Sequence, residues 1–505
     1  MNVEYINLIS FPIFIFFILI SILGFGNLFN KIIYINTDSL GLKNLFFIQG
    51  LIFIGLIFIF INIFFPINNI FSFLVIFLGS IFYLYNFIKI DSKKNEIIFI
   101  LFIIIFSFIF SFYSGLSDDF NYHYETIKNF KNKNLFEINH HRTISYNSHW
   151  LFLTSIFSLS YFTSSLFILT SLFYSITIYD LFKVSLIIKN NKEYYLSIIS
   201  YLILIFFLGV LNQYKDLGTD IPGVIICIYI FLLIFQYFFK KNVEGLINIY
   251  IFLFLLGYFA IIIKITNSLI FLFLIFIILK LKKFKINYWS VFIVSLLPLP
   301  WMFQNYIISG CLIWPISLTC FSNIDLAVNE TYLIESFAKG DISTSMNVND
   351  FYWIKVWFAN HFNKLIEIYL VYILVLLIPI IFIFRKKENR KEISLYFSKE
   401  NFFDLNYLYI LLIILISNLV WFVYAPAYRF GIFYNLSLII ILFIPFLVIL
   451  IEKKYNFIVK YSKYLFVFIF IYFLIENFNK IEWYDKRYDV WPPIKNDELL
   501  KRNNH

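Results

Sequence analysis

Charge is the scarcest property of this 505-residue sequence. Only 14% of its residues are Asp, Glu, Lys or Arg, 61% are hydrophobic, and the mean hydropathy is +0.83. Soluble domains carry about 25% charged residues, so the composition excludes an ordinary soluble fold and indicates a polytopic membrane protein. Cysteine is also rare, with three residues. No Cys/His spacing of the zinc type occurs, which removes a structural zinc module. Cys227 lies inside an apolar run. Cys311 and Cys320 share a polar loop and are able to pair, but their spacing alone says little about geometry. The first apolar run, 5–25, lacks both a basic leading segment and a small-residue cleavage site, so it reads as a retained span. No internal repeat and no separate soluble domain is visible.

The net charge of +10 raises the question of nucleic acid. Placement answers it. The basic residues sit in short clusters between apolar runs, at 89–94, 240–241, 280–285, 385–391 and 453–454. That is the positive-inside pattern of cytoplasmic loops; a nucleic-acid site needs a contiguous basic face. Phe, at 69 residues, together with abundant Ile, Asn and Lys, reads as a genome-wide composition bias. A lone Asn or Lys therefore carries little weight.

A crossing helix needs roughly 17–25 apolar residues. Runs 5–25, 46–65, 70–88, 97–114, 164–183, 195–211, 221–239, 246–263, 288–308, 364–385, 405–424 and 430–450 qualify, and the shorter 266–280 and 463–478 read as crossing too. The expected fold is therefore all-α, with about 12–14 transmembrane helices. Placing the cluster at 89–94 inside sends 97–114 outward and puts the polar stretch 114–150 outside. The later basic clusters then fall inside provided that 149–163 does not cross, as a half-span or interfacial helix. Loop 309–363 falls outside. The last helix and polar tail, 451–505, follow, with the tail outside.

The stretch 114–150 gathers ionisable groups at a membrane boundary, where folding has no need of them. It holds Asp118 and Asp119 side by side, then Tyr122, His123 and Glu125, and four of the six histidines. One Asp of the pair can be a helix cap. Two adjacent carboxylates can also raise one another's pKa or hold a divalent cation, and either suits removal of a proton from a hydroxyl. His123, four residues after Asp119, shares its face if the segment is helical, and so is a candidate metal or substrate contact. His140 and His141 read equally well as polar loop residues. Four further stretches stand out. The turn 212–220 brings Lys215, Asp216 and Asp220 to the same outer side. Lys264 interrupts the apolar stretch 246–280; it is either a functional charge at membrane depth or a snorkelling lysine in a short outer turn. Pro300-Trp301 to Trp314-Pro315 opens the outer loop, and Tyr428-Arg429-Phe430 sits at a span end. There Arg429 is either a phosphate clamp or an interfacial anchor.

Taken in order, these motifs resemble the GT-C glycosyltransferases of the protein O-mannosyltransferase and aminoarabinose transferase type. The resemblance rests on Asp118, Tyr122-His123, Tyr146-Asn147, Thr219-Asp220, Lys264, Pro300-Trp301, Asn305, Gly310, Trp314-Pro315 and Tyr428-Arg429, and covers about residues 100 to 450. Gln304 stands where such proteins have Arg before Asn, Trp314 where they have Tyr, and Tyr-Arg replaces Arg-Tyr. Residues 1–95 would be additional N-terminal spans, and 96–450 the catalytic core.

The resemblance implies sugar transfer from a polyprenyl-phosphate donor to an envelope lipid, polysaccharide or protein. The site would lie on the outer face of a bacterial cytoplasmic membrane. Asp118 is implied as the base, with inversion at the anomeric carbon. Asp119 or Asp220 would assist, through a divalent cation (Mg or Mn) with His123 as a further ligand. Lys215, Lys264 and Arg429 are implied at the donor phosphate, and Tyr122, His123, Asn147 and Asn305 as substrate contacts. Membrane lipids are the expected surroundings, and nucleic acid is not a partner. Rival readings are a transporter or flippase of lipid-linked sugars and a polysaccharide polymerase. The position of nearly all charges at span ends, rather than mid-membrane, favours the enzyme.

Overall fold

Backbone polar groups have no water to bond with in hydrocarbon, so long apolar runs fold as helices, which satisfy those groups internally. The computed structural model describes residues 3–33, 42–89, 92–111, 122–138, 147–159, 163–185, 194–210, 217–239, 246–280, 288–321, 339, 352–385, 405–447, 467, 471 and 475. The first helices are α1 (Val3–Ile33), α2 (Lys43–Phe64), α3 (Asn69–Phe87) and α4 (Lys93–Phe110). The short α5 (Tyr124–Asn132) and α6 (His149–Phe157) follow, then α7 (Ile168–Ser185), α8 (Tyr194–Val210), α9 (Asp220–Phe239) and α10 (Leu246–Ile263). After α11 (Phe271–Lys280), α12 (Tyr288–Leu296) and α13 (Pro298–Ser309) come the helices Tyr352–Trp357, Asn363–Arg385, Leu405–Tyr424 and 432–447. Among the described residues, six helices are long and apolar enough to cross a bilayer: Ser10–Ile33, Lys43–Phe64, Asn69–Phe87, Ser165–Ser185, Tyr407–Tyr424 and Tyr428–Leu447. Four shorter apolar helices accompany them. An isolated antiparallel bridge pairs Cys311 with Cys320.

Inside a bilayer, helices associate by close backbone approach rather than by hydrophobic burial. Glycine provides that approach in the first three helices. A Cβ on Gly24 of α1 would overlap the Gly79 carbonyl oxygen of α3, and a Cβ on Gly79 would overlap Ser21 Oγ. Ser21 Oγ in turn donates to the Val75 carbonyl at 2.9 Å. On the neighbouring face, Gly26 meets the Phe46 carbonyl and Gly50 meets that of Ile22, which locks α1 onto α2.

These helices are also tied to the rest of the chain. Asp180, fully buried in α7, accepts from the first two amides of α2, Lys43 N at 3.0 Å and Asn44 N at 2.8 Å. Tyr229 of α9 donates its hydroxyl to the same carboxylate at 3.1 Å. Asp180 therefore caps a helix whose own N-cap, Leu42, has no side chain able to do so. One continuous apolar core runs from Phe11 to Leu447.

Two segments bear on the expected spans. Helix α6 has nine residues, all buried. At about 1.5 Å per residue it is less than half the thickness of a bilayer's hydrocarbon core, in keeping with the half-span expected over 149–163. The run 288–308 is not one helix. It breaks at Leu297, and Pro298 opens α13. Proline lacks the N–H that a continuing helix would use but fits the first turn of a new one.

Candidate functional site

Helix α10 ends at Ile263, and the chain turns back. Lys264 is extended (φ −155°, ψ 121°) and begins a 3₁₀ turn, Ile265–Ile270, that leads into α11. Asn267 closes the turn: its backbone N–H donates to the Lys264 carbonyl and its side chain to the Ala260 carbonyl, both at 3.0 Å. Leu274 of α11 packs on Gly257 of α10, so the two helices form a hairpin with Lys264 at its apex. The lysine that interrupts an apolar run is thus a turn residue and does not lie inside a helix.

The apex meets two other chain ends. Asp220, the first residue of α9, forms an ion pair with Lys264 Nζ. Arg429, in the 3₁₀ turn Tyr428–Gly431, places Nε 3.6 Å from the second oxygen of the same carboxylate. Phe430 lies beneath both cations, its ring centroid 3.8 Å from Lys264 Nζ and 5.5 Å from the Arg429 guanidinium carbon. The approach of α9 depends on Gly223, where a Cβ would overlap Asn267 Nδ2. Tyr434 ties the following helix to the apex by donating to the Thr266 carbonyl at 2.8 Å. Among the described residues, the cluster is two cations on one carboxylate. Arg429 is its most accessible member, with 39% of the side chain exposed against 17% for Lys264 and 15% for Asp220.

A histidine borders the cluster. His361 sits in a π-helical turn, Phe358–Phe362, ahead of Asn363–Arg385. Such turns inside helices often mark functional positions. Its ring lies 6.1 Å from that of Tyr428, and neither ring nitrogen has a hydrogen-bond partner among the described residues. Burial, then the neighbouring Lys364 and Arg429, hold its pKa below the ordinary 6.5. Lys364 Nζ lies 5.3 Å from the Tyr428 ring centroid, which adds a third cation to this side. The only signal for His361 in the sequence is the rarity of histidine itself, and the π-helical turn that presents it is not legible there.

The candidates from the sequence are distributed unevenly. Asp220, Lys264 and Arg429 come together. Asp118, Asp119 and Lys215 lie outside the described residues. Tyr122 and His123 form a π-type turn into α5, with ring centroids 4.1 Å apart and His123 buried. Of the expected metal ligands His123 alone is described, and among the described residues no three His, Cys, Asp or Glu side chains group as a metal site. Asn305, buried in α13, donates to the Leu312 carbonyl at 3.1 Å and so pins the turn after its own helix. That turn is closed by a disulfide between Cys311 and Cys320, the pairing that spacing left open.

Asn147 is buried and lies in the left-handed region (φ 39°), where a non-glycine residue is strained. Its carbonyl accepts from Trp301 Nε1 at 3.3 Å, and the next residue, Ser148, donates to the Ile263 carbonyl at 2.8 Å. The Asn147 turn is therefore fastened to the residue immediately before Lys264.

No curated protein and no solved structure matches the chain. A family model does, over residues 8–436, and its description is a domain of unknown function, DUF8201. That match runs from α1 through the Asp220, Lys264 and Arg429 cluster and covers most of the sequence, so the chain belongs to the DUF8201 family.

Proposed function

We propose that this protein is an inverting, GT-C-like membrane glycosyltransferase. It takes a sugar from a polyprenyl-phosphate donor and passes it to an envelope lipid, polysaccharide or protein on the outer face of a bacterial cytoplasmic membrane. The observation that carries the reading is the convergence of Lys264 and Arg429 on Asp220. A donor held in the bilayer by its lipid presents its phosphate at the headgroup level, and a partly exposed cationic cluster between helix ends suits that phosphate. Arg429 supplies the planar donor fork that phosphate recognition favours. The Cys311–Cys320 disulfide supports an outer location for this end of the bundle, because such bonds persist in oxidising compartments.

In the proposed reaction the acceptor hydroxyl oxygen attacks the anomeric carbon. The bond from that carbon to the phosphate oxygen breaks, and its electron pair leaves with polyprenyl phosphate. The hydroxyl proton passes to the carboxylate of Asp118, and Lys264 and Arg429 hold the charge that develops on the leaving phosphate. Asp220, engaged by both cations, acts as a positioning residue for them, and Asp119 remains a candidate to assist the base.

The test is binding of polyprenyl phosphate in nanodiscs to wild type, Arg429→Ala and Arg429→Lys. The alanine variant should lose about tenfold or more in affinity, with lysine restoring part of it. Unchanged affinity in the alanine variant removes Arg429 from the site. Passage of intact donor across the membrane, without release of polyprenyl phosphate, would favour the flippase reading.

A further inference from the structure

A second group of polar side chains lies beside the cationic cluster and is left without partners. Among the described residues, both amide atoms of Asn147 and both of Gln304 are buried with nothing to bond, as is Nδ1 of His149. Each of these residues is at most 2% exposed. They belong to one place. Trp301 of α13 donates to the Asn147 carbonyl, and Gln304 lies one turn further along the same buried face of α13. His149 begins α6 two residues after Asn147, and its Nε2 sits where Gly55 of α2 has no Cβ. The Ser148 to Ile263 bond holds this turn next to Lys264.

A buried amide without a partner costs on the order of 1–3 kcal/mol, and the left-handed backbone at Asn147 adds strain. Folding alone has no use for these costs. Amides and an imidazole, each able to donate and accept, match the hydroxyls of a sugar ring. The described side chains here include an indole, two amides and an imidazole, with the rings of Phe152 and Phe259 against His149, and burial pushes the pKa of His149 down to about 3, which leaves it uncharged. No ion pair among the described residues involves any of them.

We infer that Asn147, Gln304 and His149 form the sugar subsite beside the phosphate cluster, and that the sugar it takes is electrically neutral, a hexose rather than a uronic acid or an amino sugar. This rests on the glycosyltransferase reading. Among the described residues, Asn147, Gln304 and His149 offer an ionised carboxylate or ammonium no counter-ion of their own for the hydration it would lose, whereas a neutral ring satisfies donors and acceptors that are otherwise idle.

The experiment measures affinity in nanodiscs for four probes: bare polyprenyl phosphate and its hexose, uronic acid and aminopentose conjugates. Wild type, Gln304→Leu and Asn147→Ala are compared, and thermal stability is followed without ligand. The hexose conjugate should bind best. Gln304→Leu should weaken it by about tenfold and leave bare polyprenyl phosphate unchanged. Because an apolar isostere removes an unpartnered group, ligand-free Gln304→Leu should be as stable as wild type or more so. Asn147→Ala should show the same selective loss, and either variant suffices if the other fails to fold. Tighter binding of a charged conjugate overturns neutrality. A conjugate no tighter than bare polyprenyl phosphate, an equal loss for bare lipid, or destabilisation by Gln304→Leu overturns the subsite. If none of the four probes binds, the glycosyltransferase reading fails with it.

Discussion

Asp220 and Lys264 form an ion pair between the start of one helix and the apex of the next hairpin, with Arg429 closing on the same carboxylate. A carboxylate held by two cations competes with any anion that approaches them. Asp220→Asn should therefore tighten binding of polyprenyl phosphate, by about fivefold at low salt and less as salt rises. Affinity measured at two ionic strengths checks this. A loss of binding greater than tenfold would mean instead that Asp220 shapes the site and does not merely neutralise it.

His361 gives the cluster a pH dependence. In the free protein, burial, Lys364 and Arg429 keep its pKa below 6.5, so the imidazole is neutral at pH 7. A phosphate seated at Arg429 offsets those cations and raises the pKa, so the bound state takes up the proton more readily. Affinity should then rise as pH falls from 7 through 6.5 and below, until the free protein is protonated as well. His361→Gln should flatten that slope; an unaltered slope places His361 outside the phosphate's field.

The glycine contacts between α1 and α3 set a stability test. Gly79→Leu cannot be accommodated against Ser21 and the α1 backbone without separating the helices. A loss of several degrees in melting temperature in detergent is expected, on the order of 2 kcal/mol or more. Gly257→Ala is the control, since the tightest contact of a Cβ there is the tip of Leu274 at 3.0 Å, with Ile270 and Phe271 at 3.7 Å. Equal tolerance of both changes would argue against the close α1–α3 crossing.

The disulfide tests the orientation. In intact cells an impermeant maleimide should leave Cys311 and Cys320 unlabelled until an impermeant reductant is added, and should afterwards label Cys320, the more exposed of the pair. Cysteines introduced at 283 and 387 should stay unlabelled throughout. Labelling at those two positions from outside would reverse the topology and, with it, the side on which transfer is proposed.

Much of the site could be read from the sequence because charge is so rare in it. Asp220, Lys264 and Arg429 stood out one at a time against apolar surroundings. Their convergence was not legible, since it depends on the hairpin at Lys264 and on Gly223 admitting Asn267, both properties of the packed fold. The short α6 followed from its length. Pro298 and Pro300 mark the break at Leu297, which the reading of 288–308 as one span does not include. Asn305 has the residue type of a substrate contact; its amide nitrogen bonds the Leu312 carbonyl, while its Oδ1 is buried with no partner among the described residues. Gln304, where the GT-C-like pattern has arginine, drew attention only as a departure, although its burial without partners makes it a principal member of the inferred sugar subsite.

The central claim is chemical transfer with release of polyprenyl phosphate. Purified protein in vesicles, given a radiolabelled panel of polyprenyl-phosphate sugars and envelope acceptors, should release one polyprenyl phosphate for each sugar transferred. Asp118→Asn keeps the shape of the side chain but cannot take the proton, so folded variant should be slower by about 10²–10⁴-fold. Release that matches transfer, and that is lost in this variant, is the result expected. Donor moved intact across the membrane, or an Asp118→Asn rate above about a tenth of wild type, would contradict it.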